Sequence, residues 1–147
     1  MLCLVILVIM QTLAAMKMAM KNKLLEQRAY TDAHTGLPNK GACEALLRDQ
    51  DTIVEPTVCI MFDLNNLKTA NDTMGHSAGD RLIMDFARLL RSVIPDKDFV
   101  GRYGGDEFMA VIYHTGKTEI EELLQSLCRE KDRLNSNEAQ IPIDYAC

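Results

Sequence analysis

Two short runs of strand-forming residues, Phe99–Tyr103 and Phe108–Tyr113, flank the pair Gly104-Gly105. Strand, glycine turn, strand is a β-hairpin signal. It commits this part of the chain to an antiparallel pair, which needs other elements to cover its apolar side. The rest of the chain supplies them. Pro38-Asn39 opens a helix to about Arg48, with Ala42, Ala45, Leu46 and Leu47 as its apolar side. Val58 to Phe62 is a continuous apolar run between Pro56 and Asp63, and reads as a strand buried on both faces. A short helix is expected around Asn65 to Ala70, then a polar, glycine-punctuated loop from Asn71 to Asp80. Ser77 with Asp80 can start the next helix, with Leu82, Ile83, Phe86, Leu89, Leu90 and Val93 at helical spacing and Pro95 as its stop. Thr118 with Glu121 reads as a capping box for a helix through Leu134, and Ile141 to Cys147 as a last strand. This order predicts an α/β sandwich whose central sheet contains the antiparallel hairpin.

The 147 residues suffice for one domain. A net charge of −5 excludes a general nucleic-acid binder, which needs a basic face, but not a nucleotide substrate. Five cysteines without CxxC spacing speak against a zinc or redox site. Cys43, Cys59 and Cys128 read as small buried hydrophobes.

Met1 to Met16 carries no charge, and Lys17, Lys21 and Lys23 come next. Counted to Met20, with Lys17 snorkelling, this reads as a transmembrane helix over 1–20. A signal peptide is the rival, but no positive segment precedes the run. Lysines after the span place the domain beyond them in the cytoplasm, on a single-pass inner-membrane protein. Residues 21–30 read as a helical linker, and the domain occupies 31–147.

Three features carry chemistry. Asp63 ends the buried strand, where a carboxylate is held by rigid backbone beside the ligand crevice of an α/β sheet. Asp106 and Glu107 sit at the hairpin tip, where Gly104 and Gly105 allow positive φ and close approach of a phosphate or metal. The Asn71 to Asp80 stretch offers amide and carboxylate groups suited to a purine edge. Oxygen-only donors favour Mg²⁺ or Mn²⁺ over zinc, and magnesium with phosphate points to phosphoryl or nucleotidyl transfer. Each piece alone is commonplace, since strand-end aspartates often cap helices and Gly-Gly often only turns a hairpin. The three in this order are far more specific.

Four ordered motifs then resemble the GGDEF domain family. Asp32-Ala33-His34-Thr35-Gly36-Leu37-Pro38-Asn39-Lys40 is similar to its opening D-x-L-T-G-L-P-N-R, with His34 for the usual Leu. Asp63-Leu64-Asn65-Asn66-Leu67-Lys68 resembles D-x-D-x-F-K, with Asn65 for the second Asp. Asn71-Asp72 with Gly75-His76 and Gly79-Asp80 matches N-D-x-x-G-H-x-x-G-D, and Arg102 to Phe108 matches R-Y-G-G-[DE]-E-F. The resemblance runs from about Tyr30 to Cys147. It implies a nucleotidyl-cyclase, ferredoxin-like palm with a mainly antiparallel sheet flanked by helices. It implies a diguanylate cyclase that condenses two GTP into cyclic di-GMP on Mg²⁺ (or Mn²⁺) at a homodimer interface. Asp63, Asp106 and the Leu64 carbonyl would hold the metal. Asn71 and Asp80 would read guanine and Lys68 would contact the triphosphate. Asp106, helped by Glu107, would take the 3′-hydroxyl proton.

Departures from the family pattern carry expectations too. Asn65 for Asp is expected to be tolerated, at some loss of order beside the metal ligand. The family's product-inhibition motif R-x-x-D aligns with Pro95-Asp96-Lys97-Asp98; lacking the Arg, it implies no feedback through that site. The family also continues through a basic helix beyond the last residue here, so the domain reads as C-terminally incomplete. The alternative function is therefore a non-catalytic, membrane-anchored GTP-binding or regulatory module.

Overall fold

The computed structural model describes residues 2–49, 55–136 and 141–147, apart from the side chains of residues 2–5, 7, 24 and 26–28. Its helices are α1 (Leu2–Tyr30), α2 (Lys40–Arg48), α3 (Leu67–Met74), α4 (His76–Val93) and α5 (Lys117–Asn135). Its strands are β1 (Thr57–Leu64), β2 (Phe99–Arg102), β3 (Glu107–Tyr113) and β4 (Tyr145–Ala146). They form one sheet in the order β2-β3-β1-β4, and each neighbouring pair is antiparallel. The expected antiparallel sheet flanked by helices is what the chain forms.

The main core lies between the sheet and α3, α4 and α5. Phe62 and Leu64 from β1 and Phe108, Ala110 and Ile112 from β3 meet Leu82, Ile83, Phe86, Leu89 and Leu90 of α4 and Leu127 of α5. Phe86 is its centre. Its ring meets Phe108 edge-on at 5.0 Å and Phe62 at 6.1 Å, the arrangement aromatic quadrupoles prefer. On the opposite sheet face, α2 presses Cys43 against Met109 and Val111. Asn39 caps α2 through its side chain, which accepts from the Ala42 amide.

Several sequence expectations need correction. β1 is not buried on both faces. Phe62 and Leu64 are buried, but Cys59, Met61 and Asp63 are exposed, Met61 by 44%. α2 covers β2 and β3 and leaves this side of β1 open, as antiparallel sheets permit. Cys59 is consequently exposed, Cys128 is exposed on α5, and only Cys43 of the three is buried. The inner side of α2 is Cys43 and Leu46, while Ala45 and Leu47 face out. α5 begins at Lys117, and Glu119 accepts from the Gly116 amide, so Thr118 and Glu121 are not its cap. The last strand spans only Tyr145–Ala146. Before it, the Asn135 side chain clamps both the amide and the carbonyl of Ile143 at 2.7 Å.

The transmembrane reading finds no support. Among the described residues no helix is long and apolar enough to cross a membrane. The described part of the uncharged run, Ile6 with Val8 to Met16, falls well short of the ~20 residues a span needs. The side chains of 1–5 and 7, on which the reading also leaned, lie outside the described residues. The expected linker 21–30 is helical, and it continues α1 without a break.

Phe86 is fully buried and touches both central strands. Phe86→Ala is expected to cost about 3–5 kcal/mol, read as a lowered urea midpoint with an unchanged slope.

Candidate functional site

The site is built where β1 and β3 end side by side. Their register places Phe62 opposite Phe108 and Asp63 opposite Glu107. Partners across such a pair share a face, so the Asp63 and Glu107 carboxylates stand together on the open face. Both residues are exposed, and they line an open depression of about 280 Å³ with Met61, Phe62, Ala146 and Cys147. One residue further, the Leu64 amide donates to the Asp106 carbonyl at 2.9 Å. The end of β1 is thereby fastened to the hairpin turn. Among the described residues no basic side chain pairs with Asp63, Asp106 or Glu107. Like charges set opposite each other across strands are unfavourable unless something positive joins them.

The hairpin works differently from the expectation. Neither Gly104 nor Gly105 has positive φ; in this chain Gly36 and Gly75 do. Glu107 is the first residue of β3 rather than part of the tip. A Cβ at Gly104 would meet the tip of the exposed Glu107 side chain, which can swing aside at little cost. Gly105 has nothing within 4 Å of where a Cβ would stand, so its backbone is open to approach.

Asn71 and Asp80 lie on two abutting helices, not in a loop. Asn71 lies in α3 and Asp80 in α4, and a single residue, Gly75 with φ 85°, separates the helices. The glycines punctuate two helices here, which is why the stretch reads as a loop. α4 packs so closely on α3 that a Cβ at Gly79 would collide with the Asn71 amide. Gly79, the residue before Asp80, thus lets Asn71 lie against the first turns of α4. Lys68, one turn before Asn71, is exposed on α3, and residues three apart share a helix face.

Arg102 carries structure that the sequence reading gave it no role in. Its Nη1 meets the two Asp32 oxygens at 3.3 and 3.4 Å. Its Nε donates to the Gly104 carbonyl at 3.0 Å and its Nη2 to the Gly105 carbonyl at 2.7 Å. One planar guanidinium therefore ties the turn before α2 to the hairpin turn. Its place immediately before Tyr-Gly-Gly is the signal that could have found it. Burial alone would push the Asp32 carboxyl up. The Thr35 hydroxyl and amide outweigh burial together with Arg102, and hold it below its ordinary value of 3.8. Asn65, where the family has Asp, is also occupied. Its side-chain amide donates to the Asp144 carboxylate at 3.0 Å and its backbone amide to the Asp144 carbonyl. An aspartate there would face a like charge. Asp98 uses one oxygen to accept from the Tyr113 amide at 3.0 Å, so it holds the outer end of the hairpin.

Comparison with known proteins agrees with this architecture. The family model described as diguanylate cyclase, GGDEF domain, matches residues 29–145. A diguanylate cyclase of Vibrio cholerae is 39% identical over 95 residues, which cover 62% of this chain and 30% of that protein. The signaling protein YkoW of Bacillus subtilis is 33% identical over 114 residues, 74% of this chain and 14% of its own length. The chain thus spans less than a third of either relative. Among solved structures, the diguanylate cyclase SiaD of Pseudomonas aeruginosa, determined with its activator SiaC, superposes with a TM-score of 0.73. The match is 25% identical and covers 93% of this chain and 55% of SiaD.

Arg102→Lys keeps the charge but loses the fork, and should destabilise the domain by about 1–3 kcal/mol in urea titrations at pH 7. The Asp32 carboxyl is depressed in the folded state, so its contribution is fully present above its ordinary value and is lost as pH falls through the lowered one. Asp32→Asn should therefore be less stable than the wild type at pH 7, and the difference should shrink on acidification below about pH 4.

Proposed function

The chain belongs to the GGDEF domain family, and from that membership we propose that it is a diguanylate cyclase module, each copy holding one GTP and two facing copies joining them into cyclic di-GMP. The observation that best supports this is the register of β1 against β3. It sets Asp63 opposite Glu107 and fastens Leu64 to Asp106, with no basic partner among the described residues.

That donor set suits a hard divalent cation. Among the described residues no group of three or more His, Cys, Asp and Glu gathers as a metal cage. Magnesium is commonly held instead by one or two carboxylates together with the substrate's own phosphates. Asp63, Asp106 and the Leu64 carbonyl are the residues that would hold it. A bound Mg²⁺ or Mn²⁺ supplies positive charge where the phosphates and the attacking oxygen build up negative charge.

This chain's residues divide the remaining work. Asp80 accepts from the guanine N1–H and 2-amino group, a donor pair that adenine lacks, and Asn71 beside it completes the base edge. Lys68 contacts the triphosphate as a mobile point charge. Asp106, helped by Glu107, removes the proton from a 3′-hydroxyl. That oxygen bonds to the α-phosphorus of the GTP held by the facing copy, and the bond from that phosphorus to its bridging oxygen breaks. Pyrophosphate leaves. Two such steps close the ring, consume two GTP and release two pyrophosphates. One active site holds one nucleotide, so the antiparallel homodimer is part of the proposal.

Purified protein given GTP and Mg²⁺ should form cyclic di-GMP, detected by mass spectrometry. Asp106→Ala should lower the rate by roughly 10²-fold or more with unchanged circular dichroism. Undiminished turnover by a folded Asp106→Ala protein would remove Asp106 from the chemistry. GTP binding without any product from the wild type would favour the regulatory-module reading. Asp80→Ser should reduce selectivity for GTP over ATP by about 10–100-fold, the worth of one bidentate base contact; an unaltered ratio would take base reading away from Asp80.

A further inference from the structure

His34 stands where the family places an aliphatic residue, and its Nε2 lies 3.5 Å from Asp80 Oδ1. The two side chains are 37% and 50% exposed. An ion pair at such exposure contributes little to stability. Its location is more informative than its strength. Asp80 has no other ion-pair partner among the described residues. His34 lies in a turn held by several hydrogen bonds. The Asp32 carbonyl accepts from the Gly36 amide, the Asp32 carboxylate accepts from the Thr35 amide and hydroxyl, and Arg102 clamps that carboxylate from the side. The turn thus sets a short, planar imidazole 3.5 Å from one oxygen of the carboxylate expected to read the base.

Resting on the base-reading role of Asp80 proposed above, we propose that His34 is a positioning residue for nucleobase recognition: it orients the Asp80 carboxylate so that both oxygens meet the guanine edge. A free carboxylate at a half-exposed helix position rotates about its terminal torsion, which is broad and weakly held. Two parallel hydrogen bonds to guanine need its plane aligned with the base. The imidazole nitrogen 3.5 Å from Oδ1, an ion-pair partner when the ring is protonated, biases that rotation and leaves the other lone pairs of both oxygens for the ligand, since a carboxylate offers about four acceptor sites. The benefit falls on the second contact, to the 2-amino group, more than on the first. Ligands that present both donors therefore gain most from His34.

Inosine separates the two contacts, because it keeps N1–H and lacks the 2-amino group. The probes are 3′-deoxy-GTP, 3′-deoxy-ITP and 3′-deoxy-ATP with Mg²⁺, which bind without turning over, and the readout is Kd by calorimetry on the purified chain. His34→Leu restores the family's residue type. It should weaken 3′-deoxy-GTP by about two- to five-fold while changing 3′-deoxy-ITP little, so the ratio of the two falls. His34→Gln carries an amide nitrogen at a similar reach and should recover most of the ratio. A purely structural role for His34 would weaken both nucleotides equally and would not respond to Gln. An unchanged ratio in His34→Leu, a tightening of 3′-deoxy-GTP, or no recovery with Gln would each overturn the inference. Asp80→Ser is the control for the underlying reading. If it abolishes guanine preference over 3′-deoxy-ATP while His34→Leu leaves the inosine ratio intact, only the His34 role fails. If Asp80→Ser leaves that preference untouched, or the wild type binds none of the probes, the base-site reading fails and this inference with it.

Discussion

Across the β1–β3 pair, Phe62 faces Phe108 and Asp63 faces Glu107, one residue apart along the strand. The side-chain period of a strand is two, so these adjacent pairs lie on opposite faces of the sheet. A one-residue slip of either strand would bring its phenylalanine, Phe62 or Phe108, into the open and drive its carboxylate, Asp63 or Glu107, toward Phe86. Burying those charges without partners costs far more than the core can absorb. The aromatic packing of Phe62, Phe86 and Phe108 therefore fixes the register, and the register places the acidic pair. Core and candidate site are two faces of one constraint.

The other parts of the site are fastened around that pair. Arg102 joins the turn at Asp32 to the carbonyls of Gly104 and Gly105, and its own backbone amide donates to the Pro38 carbonyl. The Leu64 amide holds the same hairpin from the β1 side. The turn that carries Asp106 is thus gripped from two directions before any ligand arrives. Gly79 does the corresponding work on the helical side, where the lack of a side chain lets Asn71 lie against the start of α4. Sites held this way need little rearrangement to bind, since the supporting groups already lock the geometry.

Much of this was legible along the chain because it depends on local spacing. The hairpin strands, the apolar stripe of α4, the stop before Pro95 and the start of a helix after Pro38-Asn39 all follow from neighbours within a few residues. The misreadings arose where a local signal had two solutions. An apolar run such as Val58 to Phe62 fits a doubly covered strand or one with an open face, and only the placement of α2 decides. The glycines between Asn71 and Asp80 fit a loop or two abutting helices, and close packing of α3 on α4 selects the second. Gly-Gly in a hairpin suggests positive φ, whereas neither Gly104 nor Gly105 adopts it. Asn65 looks like a lost carboxylate until Asp144, 79 residues away, is seen to need its amide.

The sequence by itself determined which chemical groups are available: the carboxylates Asp63, Asp106, Glu107 and Asp80, the amide Asn71, the cation Lys68, and an order of motifs specific enough to point to one family. Periodicity and turn chemistry also determined most of the elements that carry them. Tertiary structure alone decided which groups meet. The pairing of Asp63 with Glu107, the reach of Arg102 to Asp32 across 70 residues and the approach of His34 to Asp80 are contacts between segments far apart in sequence. Such contacts are set by the burial of a shared core, and spacing along the chain carries no record of them.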